Sequence, residues 1–197
     1  MTGEISWYIN QTSTFIIDRA KGNGKNMKKL IFGFVVGLSL PFIMGYIFLI
    51  SGGMPVATKG SPLPLERFVA RTAIHAAMKD EEDKPSPISA DDVNLLAGAK
   101  VYNNHCAVCH GTFKGEPTFI AMGLFPKPPQ LLDPDDAVND DPAGEAFWKI
   151  KNGIRLTGMP GFDGHLTETE MWQVSQLLVN ADKLPEPVLQ ALTLKTQ

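Results

Sequence analysis

One short run in this chain has residue types and a spacing that could do chemistry, Cys106-Ala107-Val108-Cys109-His110, and its two cysteines are the only ones in 197 residues. C-x-x-C-H is the attachment signal for a c-type haem. Two thiols have to reach the two vinyl groups on one edge of a porphyrin, and a two-residue gap on a tight helical turn presents them at that separation. The next residue, His110, then offers its imidazole to the iron as proximal ligand. A thioredoxin-like dithiol would want a strand–helix–strand setting, which the flanking sequence does not offer. A zinc site would want four ligands, and a disulfide across two residues would be strained.

A haem iron with one protein ligand needs a second. Of eight methionines, Met1 and Met27 are possible translation starts, Met44 lies in an apolar run, and Met54 and Met78 precede the haem motif. Met171 falls inside a helical pattern, where it would pack in a core, and Met122 is only twelve residues beyond His110. Met159, in Arg155-Leu156-Thr157-Gly158-Met159-Pro160-Gly161-Phe162, is flanked by residues that stop a helix and hold the thioether on an extended loop. Met159 is therefore the expected distal ligand, against the plainer reading of a surface turn. His75, His105 and His165 are alternative ligands in principle, with packing or solvent-facing roles expected for all three.

From about Ser89 to Leu184 the chain resembles a class I cytochrome c domain: an opening helix, C-x-x-C-H, a proline-containing loop, a Gly-Met-Pro-Gly-Phe ligand loop and a closing helix, in that order. The resemblance implies an all-α fold and one covalent haem c. It implies that the carbonyl of Pro129, in Pro129-Gln130-Leu131, orients His110, with Leu131 against the porphyrin. It also implies that Gly98 and Tyr102 cross the last helix, where Leu177 stands at the usual aromatic position and Trp172 one turn earlier. In bacteria such attachment is chemistry done outside the cytoplasmic membrane.

The bulk properties bound the rest. A formal charge of −3 argues against nucleic acid. Ninety-odd residues make a small core, to which a covalent haem would add apolar volume. Residues 1–26 are polar, with Arg19, Lys21 and Lys25 near their end, and look like a cytoplasmic segment or a mis-set start before Met27-Lys28-Lys29. Leu30 to Ile50 is free of charge; its 21 residues would span about 31 Å as a helix, enough for a bilayer core. Basic residues before the run put the N-terminus inside and the remainder outside. A cleaved signal peptide competes with an uncleaved anchor over residues 27–53, but its apolar stretch should be shorter and end in an A-x-A-like site.

Residues 54–88 read as a linker with one amphipathic helix. Leu65, Phe68, Val69, Thr72 and Ala76 share a face, suited to the membrane surface, a partner subunit or a simple spacer. Asp80 to Pro87 reads as a charged hinge. In the cytochrome region, 89–184, Ser89 is the expected cap of the first helix. Residues 111–141 are expected as irregular loop with an acidic group at Asp133, Asp135, Asp136, Asp140 and Asp141. Glu145 to Asn152 reads as a short helix, and Thr167 with Glu170 forms a capping box for the last. Residues 185–197 read as a proline-rich tail.

Two filled axial positions, one a soft thioether, favour electron transfer between Fe(III) and Fe(II) over substrate chemistry. Residues 89–184 carry 13 acidic against 7 basic side chains, and Lys149, Lys151 and Arg155 either ring the haem edge, orienting an acidic redox partner, or are ordinary surface cations. Trp148 and Arg155 are also candidates for the haem propionates. The expected function is a membrane-tethered electron carrier, or a cytochrome subunit of a respiratory or photosynthetic complex, with its haem domain on the outer face. The competing classes are a peroxidase-like enzyme, whose cytochrome-like forms carry two C-x-x-C-H runs, and a redox or gas sensor with a labile Met159.

Overall fold

A computed structural model describes residues 3–133 and 141–193, with side chains described from residue 26 onward, and every regular element among them is helical. The chain divides into two compact units, Met1–Pro55 and Val56–Gln197.

The first unit is α1 (Gly3–Ile50), whose segment Asn26–Ile50 has a mean hydropathy of 2.1 and no buried share. By length and composition this segment can cross a membrane; a signal sequence passes the same test. The helix begins far upstream of the apolar run, because propagation adds one hydrogen bond per residue once a turn exists. Residues 3–25, read from the sequence as a polar cytoplasmic segment or a mis-set start, thus continue it. Pro41 lies inside α1, a helix interior that lipid or its polar neighbours tolerate better than water does.

The second unit begins irregularly. Next comes α2 (Glu66–Met78), whose anticipated apolar face stands open, with Leu65, Phe68 and Val69 72%, 68% and 60% exposed. Met78, at the far end, is fully buried. The segment after it is packed against the domain, contrary to the expected hinge. A Cβ on Gly144 would meet the carbonyl oxygens of Glu81, Glu82 and Lys84 at 2.5, 2.6 and 2.9 Å. Only glycine lets those backbones touch, so residues 81–84 form a strap over the first turn of α6 (Ala143–Asn152).

The opening helix of the domain, α3 (Asp92–Val101), is capped by Asp91 in place of Ser89. The Asp91 carboxylate accepts from the Asn94 amide at 2.9 Å and from the Ser89 hydroxyl at 2.5 Å. A carboxylate outcompetes a hydroxyl as acceptor at a helix N-terminus, and these donors hold Asp91 below its ordinary carboxylate range. α3 crosses α7 (Glu168–Val179) at Gly98, where a Cβ would stand 2.3 Å from the Gln173 carbonyl oxygen and 3.2 Å from Leu177 Cβ. Tyr102, Leu177, Met171 and Trp172 are buried there, and Trp172 stacks on Phe147 of α6 with ring centroids 4.0 Å apart. The capping box at Thr167 and Glu170 forms as read from the sequence.

The C-terminal segment departs from the expected tail. Residues Glu186–Thr193 form α8, which packs on α3 with Val188 and Leu192 almost wholly buried. Pro185 and Pro187 sit where a helix start needs no amide partner, and Asn103 Nδ2 donates to the Ala191 carbonyl at 2.9 Å. The i, i+4 spacing of Val188 and Leu192 carried that signal, and two prolines masked it.

Candidate functional site

α3 does not stop before the cysteines. It widens into a π-helical turn, Tyr102–Cys106, and resumes as α4 (Ala107–His110). A π turn inserts an extra residue without breaking the helix, a device concentrated at functional sites. It turns Cys106, Cys109 and His110 toward one cleft while Tyr102 stays in the core. Burial, and secondarily the nearby Cys109, pushes the Cys106 thiol up to about 12. Gly111, at φ 75°, ends the helix in a conformation glycine adopts freely.

The Pro129 carbonyl lies 2.9 Å from His110 Nδ1. A carbonyl only accepts, so Nδ1 carries the proton and Nε2 keeps its lone pair for a metal. Burial lowers the imidazole's pKa, with the Pro129 bond opposing. Burial is the larger effect and favours the neutral ring, the form that ligates. Leu131 lines the same cleft, as does Pro129.

The expected irregular loop after His110 contains a helix, α5 (Phe119–Gly123). Thr118 caps it, accepting from the Ala121 amide at 3.1 Å, and its hydroxyl donates to the Val108 carbonyl at 2.6 Å. One side chain thereby ties α5 to the residues between the two cysteines. Of the acidic group, Asp135, Asp136 and Asp140 fall outside the described residues.

The Met159 loop is stapled to the end of α6 by backbone contact. Gly153 stands at φ 66°, and a Cβ on it would lie 2.4 Å from the Gly161 nitrogen. The Phe162 amide donates to the Ile150 carbonyl at 3.0 Å. Thr157 accepts from the Met159 amide at 3.1 Å and donates to the Ile154 carbonyl at 2.7 Å. Across the loop, Gly158 abuts Leu124, whose Cδ2 would be 2.6 Å from an added Cβ. Held in this way, Met159 lines the cleft that Cys106, Cys109 and His110 also line. Of its rivals, Met122 is 60% exposed and Met171 is in the core, and neither lines the cleft.

The remaining candidates divide. His105 lines the cleft with its ring edge-on to Phe162. Lys149 lies in the wall, paired with Glu145 and 3.7 Å from Asp141. Lys151 lies over the Phe147 ring. Arg155 is exposed, and neither it nor Trp148 is among the cleft-lining residues. Leu124, Ile150, Ile154 and Phe162 add apolar wall that sequence reading did not assign; their only signal was hydrophobicity next to a motif.

Two thiols, an imidazole with a free nitrogen and a thioether thus converge on a cleft with mainly apolar walls, a donor set and a lining that fit haem. The fold and this site define a c-type cytochrome domain, and residues 93–178 match the family described as cytochrome C oxidase, cbb3-type, subunit III. The chain is also 28% identical over 103 residues to quinohemoprotein alcohol dehydrogenase ADH IIB of Pseudomonas putida, and 29% over 104 residues to ADH-IIG of the same organism. These stretches cover 51% and 52% of this chain but only 13% of either relative. The segment is accordingly a c-type cytochrome domain that implies haem c binding and electron transfer.

Proposed function

We propose that the chain is a membrane-tethered mono-haem cytochrome that passes single electrons between redox proteins. Cys106 and Cys109 would hold the haem through thioether bonds, His110 would ligate the iron from one side and Met159 from the other. When bound, the haem would supply a one-electron Fe(III)/Fe(II) couple. The observation that carries this reading is that His110, its Nδ1 proton engaged by Pro129, and Met159, braced by Thr157, line one cleft.

The residues themselves do three things in this scheme. Pro129 holds the His110 tautomer, and the Gly153–Gly161 contact holds the Met159 loop, so neither ligand has to reorganise when charge changes. The apolar walls, Leu124, Ile150, Ile154 and Phe162 among them, would exclude water from a bound haem. The segment 26–50 would keep the domain at the membrane, on its outer face, as a free carrier or as a subunit of a respiratory or photosynthetic assembly. The matched family, named as an oxidase subunit, and the relatives, named as dehydrogenases carrying haem, support a role beside a partner enzyme.

Replacing the thioether tests the closed site. Met159→Ala should retain covalent haem, lose the red charge-transfer band of Met-ligated ferric haem, fall in potential and gain carbon monoxide binding. Ready carbon monoxide binding by the wild-type protein would favour an enzyme or sensor instead. An unchanged Met159→Ala beside an altered Met122→Ala would leave the function and move the ligand.

A further inference from the structure

We infer that Gln130 is a positioning residue for the proximal histidine, acting through Gly111 on the bond between His110 and Pro129; the inference rests on His110 being the iron ligand. Three observations meet at Gly111. Tyr102, wholly buried, donates its hydroxyl proton to the Gly111 carbonyl at 2.8 Å, with the His110 carbonyl 3.2 Å away. A carbonyl only accepts, so the phenol is the donor in both contacts. On the other side Gln130 Oε1 is pressed so closely that a Cβ on Gly111 would come within 1.9 Å of it. That oxygen is buried and, among the described residues, has no hydrogen-bond partner.

A buried acceptor without a donor is costly, and the glutamine could turn toward solvent if its place mattered only to itself. Its neighbour explains the placement. Gln130 follows Pro129, whose carbonyl receives the His110 Nδ1 proton, and its own carbonyl accepts from the Asp133 amide at 3.1 Å. Gly111 follows His110. The Gln130 side chain therefore spans the two backbones whose separation sets the Nδ1–H···O=C distance. Tyr102 fixes one of them from the core, and Gln130 wedges the other against it. A short Nδ1 bond makes the ligating nitrogen more basic and favours Fe(III); letting the loop drift would lengthen it.

The test compares Gln130→Ala with Gln130→Met in the full-length haem-loaded protein. Gln130→Met keeps the length and volume of the side chain and drops the amide. Alanine should raise the reduction potential and accelerate exchange of the His110 Nδ1 proton, read by NMR in the ferrous state, by about tenfold, the factor a weakened hydrogen bond of ordinary net strength implies. Methionine should restore both. Should the alanine variant fail to fold, Gln130→Asn, one methylene short of Gly111, is read in the same way. A lowered melting temperature with unchanged potential and exchange would make Gln130 merely structural and overturn the proposal. Altered values that methionine does not restore would overturn it too, since the amide and not the wedge would then matter. A wild-type spectrum without histidine-ligated haem would overturn the functional reading, and is visible before any variant is made.

Discussion

At the scale of single residues, the glycines around the ligand loops matter more than their size suggests. Gly153 combines a positive φ with a backbone contact that admits no Cβ. Gly153→Ala should therefore incur both backbone strain and overpacking, on the order of 3 kcal/mol together. Its effect should concentrate on the loop that carries Met159. The expected variant keeps its haem through Cys106 and Cys109, as pyridine haemochrome spectra would report, and loses the charge-transfer band of Met ligation. A variant with an intact band and wild-type unfolding midpoint would show that the staple does not position Met159. Lys149, which sequence reading offered as a docking cation, is already paired with Glu145. Charge on the cleft rim cannot be counted from sequence alone for that reason.

At the scale of elements, the domain depends on the crossing of α3 and α7, on the packing of α8 and on capped helix starts. Gly98→Ala would drive a methyl group into the Gln173 carbonyl and force α3 from α7. Overpacking of this kind costs about 1–3 kcal/mol, measurable as a lower guanidinium midpoint. α8 should prove part of the core: truncating the almost wholly buried Leu192 to alanine should cost about 2–5 kcal/mol, where a true tail would give no change. The α7 capping box carries a pH dependence. Hydrogen bonds from the Thr167 amide and hydroxyl hold the Glu170 carboxyl below its ordinary value. A depressed folded-state pKa contributes stability that is present above the ordinary glutamate pKa and lost as pH falls through the folded value. The stability gap between wild type and Glu170→Gln should thus be open at neutral pH and close below about pH 4; a gap independent of pH would refute the charge contribution.

At the scale of the whole molecule, the chain is an apolar-bearing helix and a helical domain joined by an irregular linker. Retention in membranes after carbonate washing, with a mature N-terminus upstream of Leu30, is the outcome the proposed anchor requires. A mature protein beginning after residue 50 would make the same segment a signal peptide. The strap at residues 81–84 changes what the linker can do: with Met78 buried and the carbonyls of Glu81, Glu82 and Lys84 against Gly144, the segment after α2 is packed on the domain and is no hinge.

What the sequence by itself determined lies close together along the chain. Cys106, Cys109 and His110 form a motif within five residues, Gly158-Met159-Pro160 declares a loop, Thr167 and Glu170 a helix start, and 30–50 an apolar span. In each case the physics is local: reach of neighbouring side chains, helix-stopping residues, caps, hydropathy. What only the tertiary structure decided joins residues far apart. The π turn that aims the cysteines shows no local sequence signal, because it depends on Tyr102 being held in the core. The same holds for Thr118 on Val108, Gly153 on Gly161, the strap on Gly144, α8 on α3, and Gln130 against Gly111. Those contacts are chosen by close packing between segments, and a glycine or glutamine looks the same in sequence whether it faces water or another backbone.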